Sequence, residues 1–441
     1  MRGAVGDRIG ADLWCWEETD EVAFLLSLLY LIHVAGEEVC ELEFASMGGE
    51  DAMQNKRIAR LARDAFLNEP LFGGFTDIRK RPVIPLRTIL TSLFLMPFFG
   101  LASLLSNDRE TRTERYKGLF GCQRKMVASD STFARILGWL KRKEAETFLL
   151  SFLPIFEAHD LLRKSLSVGG RPRRLGILDG SYMGGHWLVT LCLAGVISYP
   201  VVIRRYAKHG EELQTARQLM KEAPAILGGL RPELWLVDAL YFNEGTIRIA
   251  REQGAHILFK FKEADFREVT MDAQNLFEHF GGDEEKSGWD NERQCQWKVR
   301  KTVDSFAGYP VQVVELREFY PKRKRDRNVR CWIVTTDLDL PLEELREAAH
   351  QRWQIENRVF KRISHLSGTK RFYFNDHRQF FNLLHLFFAA VAVLDCIIAL
   401  LKKHKRLLAA LRDGIKGTWR NVFSRIREVL YELPCAFARL K

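Results

Sequence analysis

Between residues 166 and 260 the chain changes character, and the order of its segments there constrains the fold more than any other feature. SVGGRPRR works as a linker. LGILDGSYM, HWLVTLCLAGVIS and YPVVIRRYAK then follow as three strand-like runs separated by tight-turn residues. Links that short make antiparallel neighbours. HGEELQTARQLMKEA reads as a helix with a charged and an apolar face, LWLVDALYF as a buried strand, GTIRIAREQG as a short helix and AHILFKFK as another strand. A three-strand meander, a helix and a strand–helix–strand unit specify a mixed α/β sheet.

That order matches an RNase H-like α/β sheet. Residues 261–335 interrupt it with three further strand-like segments, QCQWKVRKTV, YPVQVVELREFY and RCWIVTTDL, which read as a β-rich insertion. FFNLLHLFFAAVAVLDCIIALL reads as a long buried helix. The expected organisation is an acidic segment of unassigned role at 1–52, a mostly helical domain at 53–165, the RNase H-like core at 166–401 and a basic helical tail at 402–441. SDST at 129–132 supplies N-cap chemistry for a helix through STFARILGWL.

Charge narrows the partner. Residues 1–52 hold 2 basic and 12 acidic side chains, which leaves 65 Lys+Arg against 44 Asp+Glu in the rest of the chain. A body that basic suits a polyanion, nucleic acid before a membrane surface. The helical domain contributes Arg124, Lys125 and Arg135 as candidate DNA contacts, although charged helix faces are commonly just solvated. The eight scattered cysteines include no C-x-x-C pair and no zinc spacing, so they read as free thiols in a reducing compartment. With no signal peptide at its start, the chain is expected to be cytoplasmic. The apolar runs at 88–105 and 383–401 contain Pro97, and His385 with Asp395, and read as buried core helices and not membrane spans.

Chemistry centres on AAHQRWQIENRVFKRISHL, residues 348–366. Wound at about 100° per residue, it puts Ala348, Ala349, Trp353, Ile355, Val359, Phe360, Ile363 and Leu366 on one side. Gln351, Gln354, Asn357, Arg358, Lys361, Arg362 and His365 fall on the other. Arg352 and Glu356 break the pattern by pointing out of the apolar arc. An inward carboxylate needs a cation, hydrogen bonds or a metal, and an Arg–Glu pair one turn apart is one way to supply it.

Asp179 ends the apolar run LGILD and Asp238 ends LWLVD. A carboxylate at the tip of a buried strand sits where active sites form in α/β sheets; alone, each could be a turn residue, Asp179 before Gly180 especially. Together with Glu356 they would make three converging acids, which cannot all stay ionised without cations. Hard oxygen ligands select Mg2+ or Mn2+. Two such ions would activate a water or a 3′-hydroxyl in an in-line phosphoryl transfer, with Arg352 on a backbone phosphate.

ILDGSYM around Asp179, LVDALYFN around Asp238 and RWQIENRVFK around Glu356, with a β insertion before the last, resemble the DDE transposases of bacterial cut-and-paste insertion sequences, in the group with a Y-x2-R-x3-E-x6-K signature. The resemblance covers roughly residues 170–400. It implies Asp179, Asp238 and Glu356 as catalytic, metal-binding acids, Arg352 as the signature arginine, double-stranded DNA as partner, and a homodimer on DNA. Two positions depart from the signature: Ala349 stands in place of the tyrosine and Ile363 in place of the lysine, while Lys361 nearby is a further candidate DNA contact. The aromatic residues Tyr182, Trp187, Tyr241, Phe242 and Trp353 could stack on an extruded base, or simply pack. No phosphate-cradling G-x-x-x-x-G-K-[ST] loop indicates ATP use. A non-catalytic DNA-binding descendant of such an enzyme is the competing reading, and a membrane-associated protein a third.

Overall fold

The computed structural model describes residues 72–113, 127–208, 210–262, 267–353, 355–361, 363–364, 374 and 376–403. The acidic segment 1–52, Arg124, Lys125 and the tail past residue 403 lie outside the described residues. The chain divides into two compact units, Leu149–Ala392 and the segments flanking it.

In the flanking unit, α1 (Leu86–Phe99) is followed by α2 (Leu104–Thr111), which opens with a reciprocal capping box between Ser103 and Ser106. Ser129 caps α3 (Asp130–Trp139) by accepting from the Thr132 amide, as SDST led us to expect. Phe72 stacks on Phe148 at 5.2 Å, and Phe94 meets both edge-on. This aromatic cluster is the kind of contact that fixes short helices too weak to persist alone. α4 (Arg142–Leu150) leads toward the second unit.

The second unit begins with α5 (Leu153–Ala158) and a two-stranded ribbon, β1 (Lys164–Ser165) and β2 (Pro172–Arg173). β3 (Leu175–Met183), β4 (His186–Ala194) and β5 (Ser198–Tyr206) form the expected antiparallel meander. Gly184 and Gly185 make the two-residue turn between β3 and β4, both at positive φ, a conformation that glycine reaches without strain. α6 (Glu212–Leu227) leads to β6 (Leu234–Asp238), and α7 (Glu244–Glu252) to β7 (His256–Phe261). β6 runs parallel to both β3 and β7. The order β5-β4-β3-β6-β7 is the RNase H-like arrangement, mixed and buried on its central strands.

The β insertion does not form a body of its own. After α8 (Arg267–His279), β8 (Glu284–Asp290), β9 (Cys295–Phe306), β10 (Tyr309–Phe319) and β11 (Asn328–Thr335) continue the same sheet, because β11 pairs antiparallel with β7. The nine strands run β5-β4-β3-β6-β7-β11-β10-β9-β8. The outer edge of β7 thus has its hydrogen bonds filled from within the chain. α9 (Leu342–Gln351) follows, then a π turn at Ile355–Phe360, and α10 (His377–Lys403) ends the described chain. The stretch His377–Cys396 is long and apolar enough to cross a membrane, but 83% of its most apolar window is buried inside the fold, as in a core helix. The four described cysteines, Cys192, Cys295, Cys331 and Cys396, are buried.

Three sequence expectations need correction. Asp179 does not end its strand: β3 continues to Met183, and Asp179–Gly180 is not a turn. The helix expected to run unbroken through 348–366 stops at Gln351 and resumes as a π turn, so the 100° wheel loses register there. Trp353 is therefore 41% exposed, while Gln351, assigned to the polar side, is buried.

Candidate active site

β3 and β6 pair only over Leu175–Ile177, so the two strands part just before Asp179. Strand alternation sends Asp179 and Gly180 to opposite faces of β3. Asp238 is the last residue of β6. The cleft between the strands receives Arg352, the cap residue at the C-terminus of α9, and Glu356, in the π turn beyond it.

The three acids gather on one guanidinium. Arg352 Nη1 lies 3.9 Å from Asp179 Oδ1 and 3.8 Å from Asp238 Oδ2, and Nη2 donates to Glu356 Oε1 at 3.3 Å. The arginine side chain is 6% exposed and that of Asp179 12%, against 44% for Asp238 and 43% for Glu356, so the site has a buried floor and an open rim. Arg352 Nε and Nη1 are buried without a hydrogen-bond partner. A second Asp238 oxygen accepts from the Ala239 amide at 2.8 Å. Burial pushes the Asp179 carboxyl up to about 7; Arg352 opposes the shift, and the charges of Glu356, Asp238 and Glu212 add to it.

Two residues at this site escaped the sequence reading. Glu212, in the first turn of α6, accepts from the Tyr206 hydroxyl at 2.9 Å and the Tyr241 hydroxyl at 2.7 Å. It lies so close to β3 that a Cβ at Gly180 would run into its carboxylate, so the glycine serves close approach and not a turn. Lys260 stands beside Asp238 on β7, donates to the Ala349 carbonyl at 3.2 Å and sits 4.1 Å from the centre of the Trp353 ring. Its burial pulls the ammonium below the ordinary lysine range. The HILFKF pattern was the available signal for Lys260, a cation inside a strand buried on both faces; Glu212 had none, being brought in from another element.

Other expected residues separate. Lys361 is exposed just past the π turn, and Arg135 lies over the Trp139 ring at 5.5 Å in the flanking unit. Tyr182, against Trp187 at 4.7 Å, and Trp353 reach the surface. Tyr241 and Phe242 are core residues. Ala349 and Ile363 are fully buried.

Among the described residues no three His, Cys, Asp or Glu side chains are grouped so as to hold a metal ion. The spacing of the acids is the spacing around a guanidinium. Their donor chemistry nonetheless suits a hard divalent cation, being three carboxylates with no soft ligand, one of them pushed up by burial and by its like-charged neighbours.

Residues 195–392 match the family model of the transposase DDE domain. No curated protein matches the chain. Among solved structures, the chain is similar to piggyBac transposase in a synaptic complex with hairpin DNA, at 10% identity and a TM-score of 0.41, over 85% of this chain and 80% of that one.

Proposed function

We propose that this chain, which carries a transposase DDE domain, cleaves and re-joins phosphodiester bonds of double-stranded DNA at the ends of an insertion sequence. The observation that carries the reading is the convergence of Asp179, Asp238 and Glu356, from two strands and a helical turn, on the single buried Arg352. Asp179, Asp238 and Glu356 are the acids that would hold Mg2+ or Mn2+, as two ions. Such ions, when bound, supply activation of the attacking water or 3′-hydroxyl and neutralise the leaving oxygen.

The chain's own groups do the rest. Asp179, its carboxyl pushed up to about 7 by burial, would release its proton to solvent as a cation enters, where an ordinary carboxylate would already be ionised. Arg352, on the buried floor with its guanidinium among the three acids, would reach a backbone phosphate in the fork geometry that suits it once the cleft opened. Trp353 and Tyr182 are exposed on residues beside the site, and offer flat faces to an unstacked base. Two copies of the chain would serve two ends.

Purified protein incubated with the terminal repeats of its element and Mg2+ or Mn2+ is expected to cut them, and Asp179→Ala to lose cutting by on the order of a thousandfold or more, in the range seen when one charge-stabilising group is removed from an active site. No cutting by the parent, or undiminished cutting by the variant, would overturn the assignment. A second reading, a DNA-binding protein without catalysis, is favoured by Ala349 and Ile363, whose buried apolar side chains cannot grip phosphates. It differs in one outcome: salt-sensitive binding of the ends with no cleavage under either metal.

A further inference from the structure

The most concentrated charge among the described residues is not at the acids. The β10–β11 connection reads YPKRKRDR, residues 320–327, and places Lys322, Arg323, Lys324, Arg325 and Arg327 against one acid, Asp326. Residues 321–327 are all exposed. The turn is built, not loose. The Tyr320 amide donates to the Arg327 carbonyl at 2.7 Å, Arg327 Nε donates to the Arg323 carbonyl at 2.8 Å, and the Arg323 guanidinium lies 3.3 Å from the centre of the Tyr320 ring. Lys322 reaches Gln294 Oε1 at 2.9 Å.

The sheet face below the turn continues the pattern. Arg317 stands opposite Lys298 on one neighbouring strand and opposite Arg330 on the other, so three cations form one row across β9, β10 and β11. One level nearer the turn, Phe319 lies two strands from Trp289, 38% and 44% exposed. Together they line a groove of about 740 Å³ with Trp297. Glu315, buried, shares one carboxylate among Arg300, Arg317 and Arg330, so the arginines outnumber it. Lys298 pairs with Glu285 at the surface, at 2.7 Å.

Resting on the transposase reading above, we infer that the β10–β11 turn and the row Lys298–Arg317–Arg330 beneath it form a phosphate-binding surface for duplex DNA, outside the site of the three acids. Charge complementarity selects the occupant. From the row to Tyr320, where the turn begins, is roughly 10 Å at the rise of a β-strand. Each strand of a duplex carries one charge per about 3.4 Å of axis, so about three phosphates of one strand pass along that length before the turn's own cations are reached. Trp289 and Phe319 beside the row would pack against the sugar edges. The β insertion thereby extends the sheet that carries the acids into a handle on the DNA flanking them.

The test measures binding of the full-length chain to a fluorescent duplex by anisotropy, between about 50 and about 200 mM salt. A Lys322→Ala/Lys324→Ala/Arg325→Ala variant is expected to weaken binding at least about tenfold at the lowest salt and to flatten the log K against log salt slope by about 0.9 for each phosphate it no longer neutralises. The charge-keeping Lys322→Arg/Lys324→Arg/Arg325→Lys variant is expected to bind as the parent does, and both to keep the parent's Tm. A triple-alanine variant that binds with the parent's affinity and slope, while the parent binds and cuts DNA, overturns this surface and leaves the transposase reading standing. A parent that binds no duplex at all removes both.

Discussion

Two clusters of carboxylates and arginines lie along the stretch from α9 to the π turn, and they are built on opposite plans. Around α9, Glu318 accepts from Arg346 Nε, His350 Nε2 and the Tyr320 hydroxyl, each at 2.8 Å. Asp290 takes Arg346 Nη1 at 2.8 Å and Arg293 at 2.9 Å, and Glu347 takes Arg293 at 2.7 Å and Lys164 at 3.0 Å. Each of these three acids has its cation at hydrogen-bond distance. Six residues beyond Arg346, Arg352 faces three acids with one hydrogen bond, at 3.3 Å. The proton affinities of the carboxyls follow the same division. Bonds and charges from His350 and Arg346 overcome the burial of Glu318 and hold it down to about 2, whereas Asp179 is pushed up to about 7. A satisfied ion network fastens the insertion to α9; the other leaves Arg352 with a single side-chain hydrogen bond. Strongly perturbed groups beside specific charges in a cleft are candidates for function, whereas fully paired networks are candidates for structure.

The sharpest break between the two would come from removing one acid of each. Glu318→Ala leaves Arg346 and His350 short of a buried partner and is expected to cost about 3–5 kcal/mol, read as a lowered denaturant midpoint. An unchanged midpoint would mean that the network is ornamental. Next in size, Arg352→Met takes from the three acids the guanidinium they share. Mg2+ is then expected to raise the unfolding free energy by about 2.7 kcal/mol at a hundredfold excess over its Kd, with a larger Tm rise per increment of ion than the parent shows. A variant indifferent to Mg2+ would show that the acids are not metal ligands.

The smallest effect separates the clusters by sign. Asp179 has a folded pKa of about 7, above its unfolded 3.8, so the folded state holds the proton more tightly. Its contribution is complete below the unfolded value and is lost as pH rises through about 7. Asp179→Asn, in the presence of a chelator, is expected to be more stable than the parent at about pH 8 by at least about 1.4 kcal/mol, the worth of one pKa unit, with the gain shrinking toward about pH 5. Glu318 behaves in the reverse sense, its contribution present above 4.5 and lost as pH falls through about 2. Parallel pH profiles for variants at the two positions would erase the distinction.

The order of elements was legible because β3 to β7 are dense apolar runs punctuated by glycine, proline and charged turns, and local pattern decides such strands. β8 gave no such signal: EEKSGWD is polar and exposed along nearly its whole length, and it exists because β9 offers an edge to pair with. Asp179, Asp238, Arg352 and Glu356 could be singled out as charges in apolar settings. What could not be read was the π turn, which undoes a helical wheel, and the approach of Glu212 to Gly180, which joins parts of the chain that share no local pattern.

The acids also differ in what they are mounted on. Asp179 and Asp238 belong to strands laced into neighbours by main-chain hydrogen bonds, so their backbones cannot shift without disturbing the whole sheet. Glu356 rides on a turn that holds one residue more than an α-helix would. The cleft is therefore a vice with two cast jaws and one on a screw, the adjustable jaw being the turn that carries Glu356.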